Sequence, residues 1–274
     1  MIRRSSALKT PLIKRSGMSR STLYYRPKLP DKDWQLKCQI EEALRIHPSY
    51  GHKRLALHLN VNKKRVLRVM HLFGIKPYRR RGKKPFKVSR PSGSMYPNLL
   101  LVHCPTYENH LWVADFTYIP FKGKFVYVAT VMDLFTRKIV GFSILTNHST
   151  GLVMNALLSA IHHEPRPLVF HSDNGSEYDS KNFIHLLEEL HIQTSRSQKG
   201  CPWENGYQES FYSQFKVDLA DPSRFETLGE LAYEIYMTIH TYNHTRIHTA
   251  LKMSPYEFAE KHKSITIKDV ESLS

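Results

Sequence analysis

The sequence predicts an α/β protein in which a mixed five-stranded sheet carries helices on its faces and follows a small all-α region. Three observations lead to this prediction. The first third of the chain is strongly basic and has apolar residues at helical spacing. Three consecutive runs rich in β-branched and aromatic residues come next, separated by short turns. Helices and strands then alternate to the end of the chain, which is typical of helices layered on a sheet.

The charge is distributed unevenly along the chain. The 274 residues carry a formal net charge of +16. Residues 1–90 contain 25 Lys and Arg against 4 Asp and Glu, a net charge of +21, whereas residues 91–274 contain 15 against 20, a net charge of −5. Such a basic block is either a solvated tail or a module that binds a polyanion.

Several classes of protein are not expected from the composition. No run of eighteen apolar residues occurs, so we expect no membrane span. The first ten residues, "MIRRSSALKT", lack the apolar stretch of a secretory signal. The cysteines are far apart and form no CxxC pair, which suits a reducing cytosol; they are Cys38, Cys104 and Cys201.

The basic third contains helical patterns at 33–47, 52–60 and 62–74. The last two are short helices joined by a tight turn, and the second carries a basic face, which favours a helix-turn-helix over 1–75. A plain helical hairpin stays an open alternative. If the helix-turn-helix binds DNA, the expected contacts are Lys63, Lys64, Arg65 and Arg68.

Residues 76–99 are rich in Pro, Lys and Arg and predict an extended linker. This linker could also follow a phosphate backbone, with contacts from Arg79, Arg80 and Arg81. A body over 100–262 and a C-terminal tail over 263–274 complete the predicted organisation.

The body predicts strands and helices in the order βββαβαβαα. Strands are expected at 110–119, 124–135, 138–145, 167–170 and 192–195, and helices at 149–163, 180–191, 227–243 and the second half of 203–220.

Three carboxylates fall at special points of this pattern. Asp115 lies inside the first strand, Asp173 ends the fourth, and Glu209 lies on a later helix. Asp173 could simply start a turn, because Asn174-Gly175 follows it. If the first and fourth strands are neighbours, the three carboxylates instead converge, and they would repel one another without a cation. Oxygen ligands suit Mg²⁺ or Mn²⁺, and two such ions about 4 Å apart can drive displacement at phosphorus.

Other candidates have simpler interpretations. Asp133 is expected to begin the turn between two strands. Glu204 is a rival to Glu209, but the Asp173 interval favours Glu209. His244 and His248 are four apart, as in a helical zinc site, yet no cysteine or acidic ligand accompanies them at suitable spacing.

The motifs together carry a family resemblance. The stretches "WVADFTYI", "VMDLFTRKIVGF", "HSDNGSEY", "SQKGCPWENGYQESFYSQFK" and "YNHTRIHTALKMSPYEF" cover about 100–260. In order and spacing they resemble the downstream-frame (OrfB) transposase of the insertion-sequence-three (IS3) family, which is grouped with retroviral integrases in the RNase H-like superfamily. Thirty-five residues separate Asp173 from Glu209, the interval typical of this family.

The resemblance implies an RNase H-like core with Asp115, Asp173 and Glu209 as catalytic metal ligands. Lys216, seven residues after the glutamate, matches a basic residue that would contact DNA phosphate, although an exposed helix lysine is an equal alternative. The implied reaction is Mg²⁺- or Mn²⁺-dependent 3′-end cleavage and strand transfer on double-stranded DNA, through a circular intermediate. At least a dimer, an upstream-frame (OrfA) partner or fusion, and a site of action at the bacterial nucleoid are also implied.

Two rival functions remain. A structure-specific nuclease of the same fold would share the metals but leave no joined product. A non-catalytic DNA-binding regulator would not need the three carboxylates, so their presence argues against this function.

Overall fold

The computed structural model describes residues 29–78, 96–198 and 201–271, and at 202–203 and 264–271 it describes the backbone alone. A group of helices comes first in these ranges, and a sheet with helices on both faces follows. Among the described residues, no helix has both the length and the apolar character that crossing a bilayer requires.

The N-terminal helical region contains α1 (Leu29–Ile46), α2 (His52–His58) and α3 (Lys63–Leu72). Their apolar positions point inward and form a separate small core that includes Ile40, Leu55 and Val66. The Asn62 side chain caps α3 by accepting a hydrogen bond from the Lys64 N–H at 2.9 Å. The predicted pair of short helices joined by a tight turn is therefore present at α2 and α3.

The sheet consists of β1 (Leu111–Phe121), β2 (Lys124–Asp133), β3 (Ile139–Leu145), β4 (Val169–Ser172) and β5 (Gln193–Arg196). The spatial order is β3-β2-β1-β4-β5. β1 pairs antiparallel with β2 and parallel with β4, β2 pairs antiparallel with β3, and β4 pairs parallel with β5. The predicted mixed five-stranded sheet is confirmed.

Each face of the sheet is covered by its own helices. On one face, α4 (Thr150–His163) and α5 (Lys181–Glu189) bury residues against Ala114 of β1. On the other face, α6 (Gly206–Asp218) and α7 (Leu228–His244) pack against Val113. Because side chains alternate along a strand, Asp115 shares the face of Val113 and so faces α6.

The last helix, α8 (Pro255–Glu271), corrects the predicted tail at 263–274, because it runs through the predicted boundary. Its start has a reciprocal cap. Ser254 Oγ accepts from the Glu257 N–H at 3.2 Å, and the Glu257 carboxylate accepts from the Ser254 N–H at 3.0 Å. This capping box, with Pro255 in the first turn, explains why a helix begins here.

Candidate active site

Two of the predicted carboxylates lie where neighbouring parallel strands stop pairing. β1 and β4 pair from Leu111↔Val169 to Val113↔His171, and Asp115 and Asp173 each come two residues later. Adjacent strands are about 4.8 Å apart. The shared register therefore brings the two aspartates to the same edge of the sheet.

Asp115 lies in a crowded negative environment. One of its oxygens accepts a hydrogen bond from the Phe116 N–H at 2.8 Å. Burial raises the pKa of Asp115 to about 8, and the negative charges of Asp173 and then Glu209 add to the rise, while Lys216 opposes it. The charges of Asp173, Glu209 and Lys216 therefore all reach Asp115.

Asp173 starts a turn at the edge of the sheet where Asp115 also lies. β4 begins at Val169, two residues later than predicted, because Pro167 has no N–H to give to the ladder. Asp173 therefore directly follows the strand. Its Oδ1 accepts a hydrogen bond from the Gly175 N–H at 3.0 Å. Burial raises the pKa of Asp173, while that hydrogen bond and the Arg196 charge oppose the rise.

Glu209 is exposed in the first turn of α6, and the neighbouring residues of that helix are bonded to β1. Asn205 Nδ2 donates to the Ala114 carbonyl at 3.2 Å. Gln208 Nε2 donates to the Val113 carbonyl at 2.7 Å, and the Tyr212 hydroxyl donates to the Asp115 carbonyl at 2.7 Å. Three consecutive carbonyls of the strand that carries Asp115 thus hold the helix that carries Glu209.

The three side chains that hydrogen-bond α6 to β1 were not predicted from the sequence. We call them the docking triad: Asn205, Gln208 and Tyr212. Gln208 is fully buried, and Thr130 of β2 hydrogen-bonds to both Gln208 and Tyr212. The residues lie on one face of the helix at i, i+3 and i+7, which is a usable signal for a buried face. Their partners are backbone carbonyls about ninety residues earlier, and no local pattern indicates those.

Lys216 lies on the same helix, seven residues after Glu209. Its ammonium group is 5.1 Å from the centroid of the Tyr118 ring, and its charge acts on Asp115. The structure therefore places Lys216 beside the carboxylates, as its spacing on the helix indicates.

The two rival carboxylates have structural partners. Glu204 accepts from Asn98 Nδ2 and from the Gln198 N–H, both at 2.7 Å. Asp133 is fully buried and accepts from the Thr136 N–H at 2.8 Å and from its hydroxyl at 2.6 Å. Glu204 therefore fastens a loop, and Asp133 begins a turn, as predicted.

Arg196 lies behind Asp173 and was not found from the sequence. It is fully buried at the end of β5 and donates to the Ser172 hydroxyl and, at 2.6 Å, to the Tyr178 carbonyl. One guanidinium thus holds both ends of the turn that contains Asp173. Its place depends on β5 pairing with β4, which the sequence of β5 does not reveal.

The histidines singled out earlier pack against other side chains. The His244 ring stacks on His240 with centroids 4.0 Å apart. Burial, with smaller effects from nearby arginines, lowers the pKa of His248 to about 4. Neither histidine has a zinc-type ligand set in the described ranges.

The carboxylates fit a divalent cation by their chemistry. In the part of the chain that the structure describes, no three His, Cys, Asp or Glu side chains are gathered closely enough to hold a metal ion. Asp115 and Asp173 each turn an oxygen to a neighbouring N–H instead. The donor atoms are nevertheless all carboxylate oxygens, which Mg²⁺ and Mn²⁺ prefer. Burial is the main cause of the raised pKa of Asp115, and the charges of Asp173 and Glu209 add to it while Lys216 opposes it.

The predicted DNA contacts of the helical region have different surroundings. Lys63 and Lys64 are exposed at the start of α3. Arg65 donates to the Lys32 carbonyl at 3.1 Å, and Arg68 forms a two-bond ion pair with Asp33 at 2.6 and 2.8 Å. Both arginines therefore also fasten α3 to α1. The predicted contacts at Arg79, Arg80 and Arg81 lie outside the described residues.

Comparisons with known proteins agree with this architecture. Two family models described as integrase core domain match residues 105–202 and 190–255. The transposase for insertion sequence element IS904 of Lactococcus lactis subsp. lactis (strain IL1403) is 37% identical over 227 residues, which are 78% of this chain and 88% of that protein. The insertion element IS600 uncharacterized 31 kDa protein of Shigella sonnei is 30% identical over 263 residues, covering 90% of this chain and 96% of that protein.

A solved structure shares the fold. A chain of the simian T-cell lymphotropic virus intasome in complex with PP2A regulatory subunit B56 gamma has a TM-score of 0.51 and 21% identity, and the match covers 77% of this chain and 70% of that one. The solved structure shares the fold, and the sequence relatives identify the family. This chain belongs to the insertion-sequence transposases of the IS3 type, which are DDE-type enzymes with an integrase-like core.

Proposed function

We propose that this chain cleaves and joins DNA strands at the ends of an insertion sequence, with Asp115, Asp173 and Glu209 as ligands for two Mg²⁺ or Mn²⁺ ions. The observation that carries the proposal is that two carboxylates from other elements act electrostatically on Asp115. The charges of Asp173 and Glu209 contribute to the raised pKa of Asp115. Like charges beside a desolvated carboxylate are costly unless they serve a bound cation.

The proposed chemistry needs no covalent protein–DNA intermediate. Water attacks a phosphodiester at the element end, the bond to the leaving oxygen breaks, and a 3′-OH is freed. That hydroxyl then attacks a second phosphodiester, so one P–O bond forms as another breaks. Divalent ions held by Asp115, Asp173 and Glu209 would stabilise the negative charge that develops on the attacking and leaving oxygens.

The other residues of the site orient these groups. The docking triad holds Glu209 against the strand of Asp115, which keeps the carboxylates in register. Lys216, whose charge acts on Asp115, would also contact a DNA phosphate next to the carboxylates. Arg196 keeps the Asp173 turn in place. Positioning of this kind accounts for much of the rate enhancement in phosphoryl transfer.

The proposed partners follow from the substrate. Double-stranded DNA supplies both the element ends and the target, so the chain would act at the bacterial nucleoid. Joining two ends requires at least two copies on DNA, and the similarity of the fold to an intasome chain supports a homo-oligomer. An upstream-frame (OrfA) partner or fusion would supply additional contacts to the ends.

A strand-transfer assay tests the proposal. A labelled oligonucleotide with a free 3′-OH is mixed with supercoiled plasmid and Mg²⁺ or Mn²⁺, and covalent transfer of the label to the plasmid is measured. We expect transfer by the wild-type chain and none by Asp173→Asn, which keeps an oxygen for the Gly175 N–H. Glu188→Gln is the matched control, because Glu188 is exposed on α5 at the opposite face of the sheet.

The outcomes separate the rival functions. Nicked plasmid without joined label would identify a nuclease instead. DNA binding that is unchanged by Asp173→Asn, with no cleavage by the wild-type chain together with its upstream-frame partner, would identify a regulator.

A further inference from the structure

An open cleft of about 570 Å³ separates the N-terminal helical region from the catalytic helix α6. The start of α2 forms one wall, with His52, Lys53 and Arg54. Ser213, Gln214 and Thr249 from the core form the other. The cleavage and joining steps proposed above involve no residue of this cleft.

The cleft is polar and positively charged. Among its described lining residues Lys53 and Arg54 are cationic and none is acidic. Lys53 is exposed. Among the described residues, the one carboxylate whose charge acts on Arg54 is that of Asp218. Asp218 is already ion-paired with Arg246 at 3.1 Å and accepts a hydrogen bond from the Ser49 hydroxyl at 3.1 Å.

Two arginines converge on one neutral atom at the cleft. Gln214 Oε1 accepts from Arg54 Nη1 at 3.4 Å and from Arg246 Nη2 at 2.7 Å. Arg246 is nearly completely buried. Burial and the charge of Arg246 both lower the pKa of Arg54, which shows that the two guanidinium groups repel. Two close guanidinium groups that share one carboxylate leave a positive potential that an anion can relieve.

The position of the cleft relative to Glu209 indicates which anion it takes. Ser213 is four residues after Glu209, so the two side chains share a helix face and lie about 6 Å apart along the axis. Successive phosphates of one DNA strand are spaced by about 3.4 Å along the duplex axis. A strand that reacts beside Glu209 therefore has a phosphate within roughly two nucleotides of the cleft.

We propose that this cleft binds a backbone phosphate of the reacting DNA, within a few nucleotides of the phosphodiester that is cleaved or attacked. Lys53 and Arg54 supply the charge from the helical region, and Ser213 supplies a hydroxyl from the catalytic helix. One strand would then bridge the two regions and align the helical region with the active site. This inference rests on the proposed DNA substrate and adds a specific subsite to it.

Binding measurements test the charge in this proposal. Fluorescence anisotropy with a DNA duplex is measured in EDTA over a range of salt concentrations, so that no strand chemistry is needed. Lys53→Glu should weaken binding about tenfold or more and reduce the slope of log K against log salt by roughly one. Lys181 is an exposed lysine on α5, on the opposite face of the sheet. Lys181→Glu should therefore leave the affinity and the salt slope unchanged. Equal behaviour of the two variants would overturn the proposal.

Site-directed cross-linking tests the place and identifies the strand. In a chain with both exposed cysteines replaced by serine (Cys38 and Cys104), Ser213→Cys is offered oligonucleotides that carry a thiol on one phosphate. The thiol is moved stepwise from the reacting phosphate, either in the donor strand or in the target strand. For Ser213→Cys, disulfide formation should peak when the thiol lies within about three phosphates of the reacting phosphate, in either the donor strand or the target strand. The control Asn182→Cys on α5 should show no peak in either strand.

The results distinguish this subsite from the proposed function. A Ser213→Cys profile as flat as that of Asn182→Cys would overturn the subsite while leaving strand transfer intact. A position-dependent cross-link and a reduced salt slope would support the subsite even for a chain that joins no DNA in the transfer assay.

Discussion

Two aspartates on the central strands of the sheet, Asp115 and Asp133, have opposite surroundings. Burial raises the pKa of both. At Asp133 the opposing effects are hydrogen bonds, because Thr136 and Asn109 donate to its oxygens. At Asp115 the next effect after burial is another carboxylate, that of Asp173. A buried aspartate with its donors in place stabilises a fold, whereas one that faces further carboxylates indicates a site for a cation.

The largest expected effect is on catalysis at Asp115. Asp115→Asn should lower strand transfer about a thousandfold or more, because a lost metal ligand removes several kcal/mol of charge stabilisation in the transition state. Its melting temperature without metal should equal or exceed that of the wild-type chain. A gel assay of strand transfer and a thermal melt measure the two quantities, and a variant that keeps a tenth of the activity would contradict the assignment.

Asp133→Asn should show the reverse pattern. An amide has only one acceptor oxygen and sets an NH₂ group against the donors of Thr136 or Asn109, so we expect a loss of about 2–3 kcal/mol in the free energy of unfolding. Urea unfolding measures this loss. Transfer activity per folded molecule should change little at a temperature where the variant is folded. A stability equal to the wild-type value would mean that these hydrogen bonds contribute nothing net.

An intermediate effect is expected at Gln208, which links the strand of Asp115 to the helix of Glu209. Gln208→Ala leaves the Val113 carbonyl without this donor and should cost about 1–3 kcal/mol in stability. Since Glu209 would be held less firmly, strand transfer should fall about tenfold and should need more Mg²⁺. A metal titration of the rate checks this, with Gln193→Ala, an exposed glutamine on β5, as control. An unchanged metal requirement would reduce Gln208 to a purely structural role.

The last expected effect is a pH dependence of stability. The pKa of Asp115 is raised from the ordinary 3.8 to about 8 in the folded chain. Between these values the folded state binds more protons than the unfolded state, so this group lowers stability as the pH rises. In EDTA, the melting temperature of Asp115→Asn minus that of the wild-type chain should increase from pH 5 to pH 8. Above pH 8 this difference should stay constant. Added Mg²⁺ should close the gap, and a pH-independent difference would contradict the raised pKa.

The order and type of the elements could be predicted because each has a local signal. The β-branched and aromatic residues of β1 and the apolar stripe of α4 are each visible within one segment. The last helix was missed although its signal was present, since Ser254-Pro255 and Glu257 form a capping box. The start of β4 was misplaced by two residues, because Pro167 continues the apolar run but cannot join the ladder.

The three carboxylates of the candidate site could be named from the sequence, because position on predicted elements and family spacing both indicate them. The residues that hold them in place could not. The bond from Gln208 to Val113 spans 95 residues, and Arg196 reaches Ser172 only because β5 pairs beside β4. Such partners depend on which elements become neighbours, and a local period carries no such information.

The sequence by itself determined the charge division of the chain, the strand and helix pattern, and the carboxylates that can bind a hard cation. Those properties depend on residue type and on spacing within a segment. Only the tertiary structure decided that Glu204 fastens a loop and that Arg54 and Arg246 converge on one glutamine. It also decided which side chains join a helix to the strand of Asp115, namely Asn205, Gln208 and Tyr212. Hydrogen bonds and charge repulsion act over a few ångströms, so their partners are known only when the folded chain has brought distant segments together.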